Sequence, residues 1–323
     1  MIARKAGRYL SHTGVMFVLV ATFWGTSFVS ISEGLHHFPP ILFAAIRYDA
    51  AGLLVLGYAF ATTDHWWPTE RQDWLAVGIV GAFVIAGHHA FLYLGEQHVP
   101  GALAAVIVSL VPVLTAMFAS TLFTDQQVTP VGAVGFVFGV TGVAVVANPD
   151  PANLLSTNAL AIGLVFLSAV SFALGSVLTQ PVGSTLPAPT LQGWAMVFGA
   201  GLLHVVSAMR GESAAAIDWT PTAVTSLVYL VVFSGVIAFL LYFQLLDRLG
   251  PTELNLVGYL EPVVATLVSW MVLGELVDGT TVAGFAAIFV GFALLKRRAL
   301  EDLVRSASRS LTAGSSTRRT RGR

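Results

Sequence analysis

Cysteine is absent from the 323 residues, and charged residues make up only 10% of them. The first absence removes disulfides, thiolate metal sites, iron–sulfur ligands and a cysteine nucleophile, and leaves redox compartment unreadable. The second excludes a soluble globular chain, which carries about 25% charged residues. The eight histidines form no H-x-x-x-H or H-E-x-x-H pair, which speaks against a zinc or di-iron membrane enzyme. No G-x-x-x-x-G-K-[ST] loop is present, so this chain does not drive itself with ATP. No metal, cofactor or nucleic-acid partner is expected, and no nucleophile–base pair suggests catalysis.

What is present is apolar: hydrophobic residues make up 56% of the chain and the mean hydropathy is +0.80. Arg4, Lys5 and Arg8 precede an apolar run in the manner of a signal peptide. That run continues from about Gly14 to Ser32 and more follow, which predicts a retained first helix. Stretches able to cross a hydrocarbon core of about 30 Å fall near 14–32, 39–60, 74–94, 99–122 and 129–147, then 159–179, 187–208, 221–246, 252–273 and 280–298. They must be helices, because backbone groups in lipid have to be satisfied within the segment. The expected fold is an all-α integral membrane protein of ten transmembrane helices.

The chain also repeats itself. PVLTAMFASTLFTDQ from Pro112 matches PVVATLVSWMVLGEL from Pro262, 150 positions on. Pro40 and Gly52 match Pro189 and Gly201 at a shift of 149, and Gly132 and Gly139 match Gly284 and Gly291 at 152. Five spans per copy is an odd number, so the second copy must be inserted upside down, an arrangement found largely in transporters. The expected organisation is an N-terminal segment over 1–13, a five-helix repeat over 14–147, a linker over 148–158, a second repeat over 159–298 and a basic, disordered tail over 299–323. The distribution of Lys and Arg orients the chain. With both termini cytoplasmic, 14 of 16 basic residues lie inside, leaving Arg210 outside and Arg47 within a span.

FWGTSFV (Phe23 to Val29), AAIRYDAAGLL (Ala44 to Leu54), FLYLGEQHVPGALAAVIVSLVPVLTAMFA (Phe91 to Ala119) and LGPTELNLVGYLEPVVATLVSWMVLGE (Leu249 to Glu275) resemble the motifs of the drug/metabolite transporter superfamily, specifically its family built from two EamA-type domains. The resemblance covers roughly 14–298. It departs at Asp125, where the family more often has Glu, and this leaves open whether Asp125 and Glu275 act equivalently. The resemblance implies a central cavity lined by helices one to four and six to nine. It also implies export of amino acids or other small metabolites, often coupled to an ion gradient.

Arg47 sits mid-span, where a charge is expensive and normally faces the bundle interior with a partner. It serves either a structural ion pair or the substrate. Asp49, two residues on, lies on a different helix face. Glu261 precedes Pro262, whose missing N–H frees a carbonyl one turn earlier, making a candidate coordination or proton-carrying site. Pro112 repeats that helix break without the acid. His88 and His89 can relay protons but more often pack helices. Trp24, Tyr93, Trp194, Tyr229, Tyr242 and Tyr259 are candidate cavity aromatics, able to hold an ammonium group by cation–π contact. Asn255, Ser109, Thr26 and Ser27 can hydrogen-bond a substrate, although such groups also join helices.

The expected function is secondary transport by alternating access, exporting a small metabolite with a proton or other ion as coupling partner. The expected surroundings are the lipid bilayer of the inner or plasma membrane, and a homodimer is compatible with the sequence. A nucleotide-sugar or phosphate-ester exchanger would want several intramembrane cations, and only Arg47 is present. An intramembrane lipid-modifying enzyme is the reading from another class.

Overall fold

A computed structural model describes residues 2–123, 130–147, 157–249, 254, 257–274 and 278–295. Asn255, Asp125, Glu275, most of the 148–158 linker and the 299–323 tail lie outside the described residues. Within them there is helix and no strand. We number the helices α1 (Ile2–Gly34), α2 (Pro40–Thr62), α3 (Arg71–Glu96), α4 (Gly101–Leu122), α5 (Pro130–Ala147), α6 (Thr157–Thr179), α7 (Ala188–Met209), α8 (from Pro221 to Leu249), α9 (Val257–Leu273) and α10 (Gly279–Leu295). Seven are long and apolar enough to cross a membrane by length and composition alone, while α5, α9 and α10 are shorter. The residues expected as a separate N-terminal segment continue α1 as helix from Ile2.

Contacts between helices survive exchange of the two halves. Helix α1 packs on α8 and α9, and its counterpart α6 packs on their counterparts α3 and α4. Helix α2 packs along α7, and α5 along α10. The α5–α10 pair meets through small residues: a Cβ added at Gly291 would strike the backbone at Gly135 and Gly139. Gly139 and Gly291, which correspond along the sequence, thus pack on each other at the seam. Close backbone approach replaces hydrophobic drive between helices already surrounded by lipid.

The repeat extends to irregularities that composition does not reveal. In α3 the stretch Val80–Gly87 is π-helical, and in α8 so is Tyr229–Ile237, at the same shift of about 150. Carbonyls in these stretches bond across the halves. Phe83 O accepts Ser171 Oγ at 2.7 Å, and Ser234 O accepts Trp24 Nε1 at 3.2 Å. π-helical turns cluster at functional sites because they re-aim side chains within an otherwise regular helix.

The two proline positions differ. Helix α4 breaks at Ser109–Leu110 and resumes at Val111, with Pro112 in its first turn, whereas Pro262 lies inside a continuous α9. Pro112 thus follows an interruption of α4, while α9 runs on through Pro262. Loss of one amide donor is tolerated where packing holds both flanks.

Two sets of loops join the halves. We call the end where α1 begins the N-side and the opposite end the far side. On the far side, the Glu212 carboxylate accepts from the amides of Leu42 (2.8 Å) and Ile41 (3.3 Å) at the start of α2, and from Ser207 Oγ (2.9 Å). Asp218 N donates to His37 O at 2.9 Å. On the N-side, Thr190 Oγ1 donates to His65 O, Trp194 Nε1 to Trp66 O and Ser184 Oγ to Asp73. Exchange of the halves converts one set of loops into the other.

Candidate substrate cavity

A cavity of about 280 Å³ lies between the α1/α8/α9 and α3/α4/α6 groups, and α2 and α7 complete its wall. Every helix except α5 and α10 contributes. The far end is closed: Phe38 stacks on Phe43, with ring centroids 4.4 Å apart, Phe43 meets Tyr93 edge-on at 5.4 Å, and Trp219 caps Phe38 at 5.5 Å. The α1/α8/α9 group also meets α4 there, through the segment Gly101–Val108. Toward the N-side the lining continues through Tyr242, Phe243, Leu254 and Val257.

Arg47 is 3% exposed and lines this cavity. Its Nη1 donates to Tyr93 Oη at 3.0 Å and its Nη2 to Ser234 Oγ at 3.1 Å, while the guanidinium lies 4.9 Å from the centre of the Tyr48 ring. Its Nε is buried without a hydrogen-bond partner. The residue thus ties α2 to α3 and to the π-helical stretch of α8. The three groups that hold its guanidinium are uncharged, two hydroxyls and a ring. Asp49 is directed elsewhere and bonds His204 at 2.6 Å.

His89 Nδ1 lies 2.9 Å from Ile85 O, and His88 Nδ1 lies 3.0 Å from Ser168 O. A carbonyl only accepts, so both histidines carry their proton on Nδ1 there. In the neutral ring, His89 Nε2 then accepts from the Tyr48 hydroxyl. His88 Nε2 remains an acceptor on a side chain that lines the cavity. The two rings lie 4.5 Å apart, and both line the cavity although they are adjacent in sequence.

Glu261 lies on the α9 wall, and Trp24 and Tyr242 line the cavity with it. A Cβ added to Gly25 would come within 2.7 Å of Glu261 O, so only glycine lets α1 pass this close. Pro262 and Pro112 cannot donate to the carbonyls of Gly258 and Val108, both of which line the cavity. Two helices related by the repeat thus bring a proline-flanked segment to one cavity.

Of the sequence candidates, Arg47, Glu261, Trp24, His88, Ser109 and Pro112 meet in the cavity, and Tyr93 reaches it through Arg47. Tyr259 does not: it is buried toward α10, 6.0 Å from the Phe289 ring. Trp194 belongs to a cluster with Trp66, Trp67 and Trp74 on the N-side, and Tyr229 Oη bonds Phe23 O. Sequence reasoning passed over Tyr48, Ser234, Gln192 and Glu96. Gln192 lines the cavity with Nε2 unpaired, and Glu96 is 4% exposed with both carboxylate oxygens unpaired. Glu96 gave no signal in the sequence, because it falls between the apolar runs 74–94 and 99–122, where an acid is ordinary. Tyr48, Ser234 and Gln192 are uncharged and do not stand out in an apolar run.

Comparison with known proteins agrees with this geometry. The model of the EamA-like transporter family matches residues 12–148 and again 159–297. An uncharacterised transporter of Archaeoglobus fulgidus is 26% identical over 88% of this chain and 98% of its own length. The uncharacterised inner membrane transporter YedA of Escherichia coli K12 is 28% identical, over 82% and 87% respectively. Protein PecM of Dickeya dadantii is 27% identical, over 82% and 86%. A solved crystal structure at 19% identity shares the fold with a TM-score of 0.62, covering 88% of this chain and 96% of that one. With two family repeats flanking one shared cavity, the chain belongs to the EamA-like transporter family of the drug/metabolite transporter superfamily, and is a multi-pass membrane transporter, not an enzyme.

Proposed function

We propose that this transporter is a secondary carrier that exports a zwitterionic metabolite of amino-acid size by alternating access. The observation that carries the reading is that hydrogen-bond donors and an acid with aromatic neighbours share one cavity lining. Arg47 and the unpaired Gln192 Nε2 supply donors suited to a carboxylate. Glu261, with Trp24 and Tyr242 beside it, suits an ammonium group. A volume of about 280 Å³ fits a small metabolite better than a nucleotide sugar. Among the described residues, Arg47 is also the only Lys or Arg in the lining, which weighs against a phosphate-bearing substrate.

With the N-terminus cytoplasmic, as the arginine distribution predicts, the far side, closed by the rings of Phe38, Phe43 and Trp219, is external. We place the protein in the inner or plasma membrane, where the name of the Escherichia coli relative also places that protein. Glu261 is the proposed carrier of a coupling proton. Purified protein in proteoliposomes, preloaded with each of a panel of amino acids and small metabolites, should show saturable counterflow of a zwitterion. Non-saturable flux, or flux of inorganic ions alone, would reject the carrier.

A further inference from the structure

An arginine stays charged in a protein, and in a membrane core that charge must be compensated. Arg47 is held by Tyr93 Oη, Ser234 Oγ and the Tyr48 ring, none of which carries charge, and its Nε is unpaired. Glu96 stands three residues beyond Tyr93 on α3, on the same helix face. It too is buried, and both of its carboxylate oxygens lack hydrogen bonds. The end of α3, which carries Glu96, packs on α2, which carries Arg47. Glu96 does not line the cavity, whereas Arg47 does. The other acids fall away: Asp49 bonds His204, and Glu261 belongs to the α9 wall.

We propose that Glu96 is the buried counter-ion of Arg47, and that by cancelling this charge it makes the cavity reject substrates of net negative charge. Arg47 then offers a directional hydrogen-bond donor to one end of a neutral solute without making the site an anion trap. Glu96 acts through Arg47 and touches no substrate, so it is a positioning and selectivity residue.

The selectivity half of this proposal rests on the carrier reading above, and the counter-ion half does not. Melting of the full-length protein in detergent tests the second. Arg47→Gln and Glu96→Gln each leave one uncompensated buried charge and should each lower the melting temperature. The double variant removes both charges and should recover most of the loss. Additive losses would overturn the counter-ion. Glu96→Asp keeps the charge and should fold as the unaltered protein does. A Glu96→Asp protein as damaged as Glu96→Gln would assign the side chain to packing and overturn the proposal even if the neutral variants fail to fold.

Counterflow tests the first half, with zwitterionic and singly anionic amino acids of similar size. Glu96→Gln should raise the ratio of anion to zwitterion transport about tenfold or more, and an unchanged ratio refutes the selectivity role. If the unaltered protein moves no member of the panel, the carrier reading fails, while the melting cycle still decides the counter-ion.

Discussion

Arg47 and Glu261 carry the charge of the cavity, and neither has a charged counterpart in the other half: the matching positions hold Met196 and Val111. The repeat therefore supplies a symmetric container with asymmetric chemistry. Glu261→Gln keeps the shape and hydrogen-bonding reach of the side chain and removes the titration. It should abolish uphill transport driven by a pH gradient while preserving exchange of substrate for substrate. Uphill transport unchanged at every pH would falsify the proton-carrying role. Arg47 was visible in the sequence as a cation in an apolar run. Its hydroxyl partners, 46 and 187 residues away along the chain, were not.

At the scale of the element, proline and glycine positions were readable but their consequences were not. Proline at 112 and at 262 presents the same missing donor, yet one helix breaks and the other continues. The difference lies in tertiary support, to which local sequence is blind. The π-helical stretches in α3 and α8 have no proline within them and no compositional mark. They persist because Ser171 and Trp24, each from the opposite half, bond their carbonyls. The glycine seam of α5 and α10 supports a sharper prediction. At Gly291 a side chain would meet backbone, which cannot yield. Gly291→Val should therefore cost about 1–3 kcal/mol of stability, read as a lower melting temperature. The substrate KM of the fraction that folds should stay unchanged, because α5 and α10 leave the cavity untouched.

Across the whole molecule, two loop sets related by the repeat close over opposite ends of the bundle. The far-side set is built on a carboxylate bonded to the first amides of α2, where the helix N-terminus favours negative charge. The N-side set relies on hydroxyl and indole donors, with Asp73 as acceptor. The far side is thus held by Glu212, and Glu212→Ala should shift the population toward far-side opening. A cysteine introduced at Phe43, which is fully buried, should then react faster with a reagent applied from that side. Equal labelling rates with and without Glu212 would contradict the latch. Topology has its own check: cysteines placed in 148–158 should label from outside and those in 299–323 from inside, and the reverse pattern would reject the orientation.

The sequence by itself determined the membrane class, the helices, the duplication and the cost of Arg47. All of these follow from quantities summed along the chain: hydropathy over a span, a repeated spacing, a charge in an apolar run. Only the tertiary structure decided that α2 pairs with α7, that His88 and His89 share one cavity, that Tyr259 turns away from it, and that Glu96 is buried with both carboxylate oxygens unpaired. Those outcomes depend on which helix faces meet, and side-chain direction after two π-helical stretches cannot be counted off at 3.6 residues per turn.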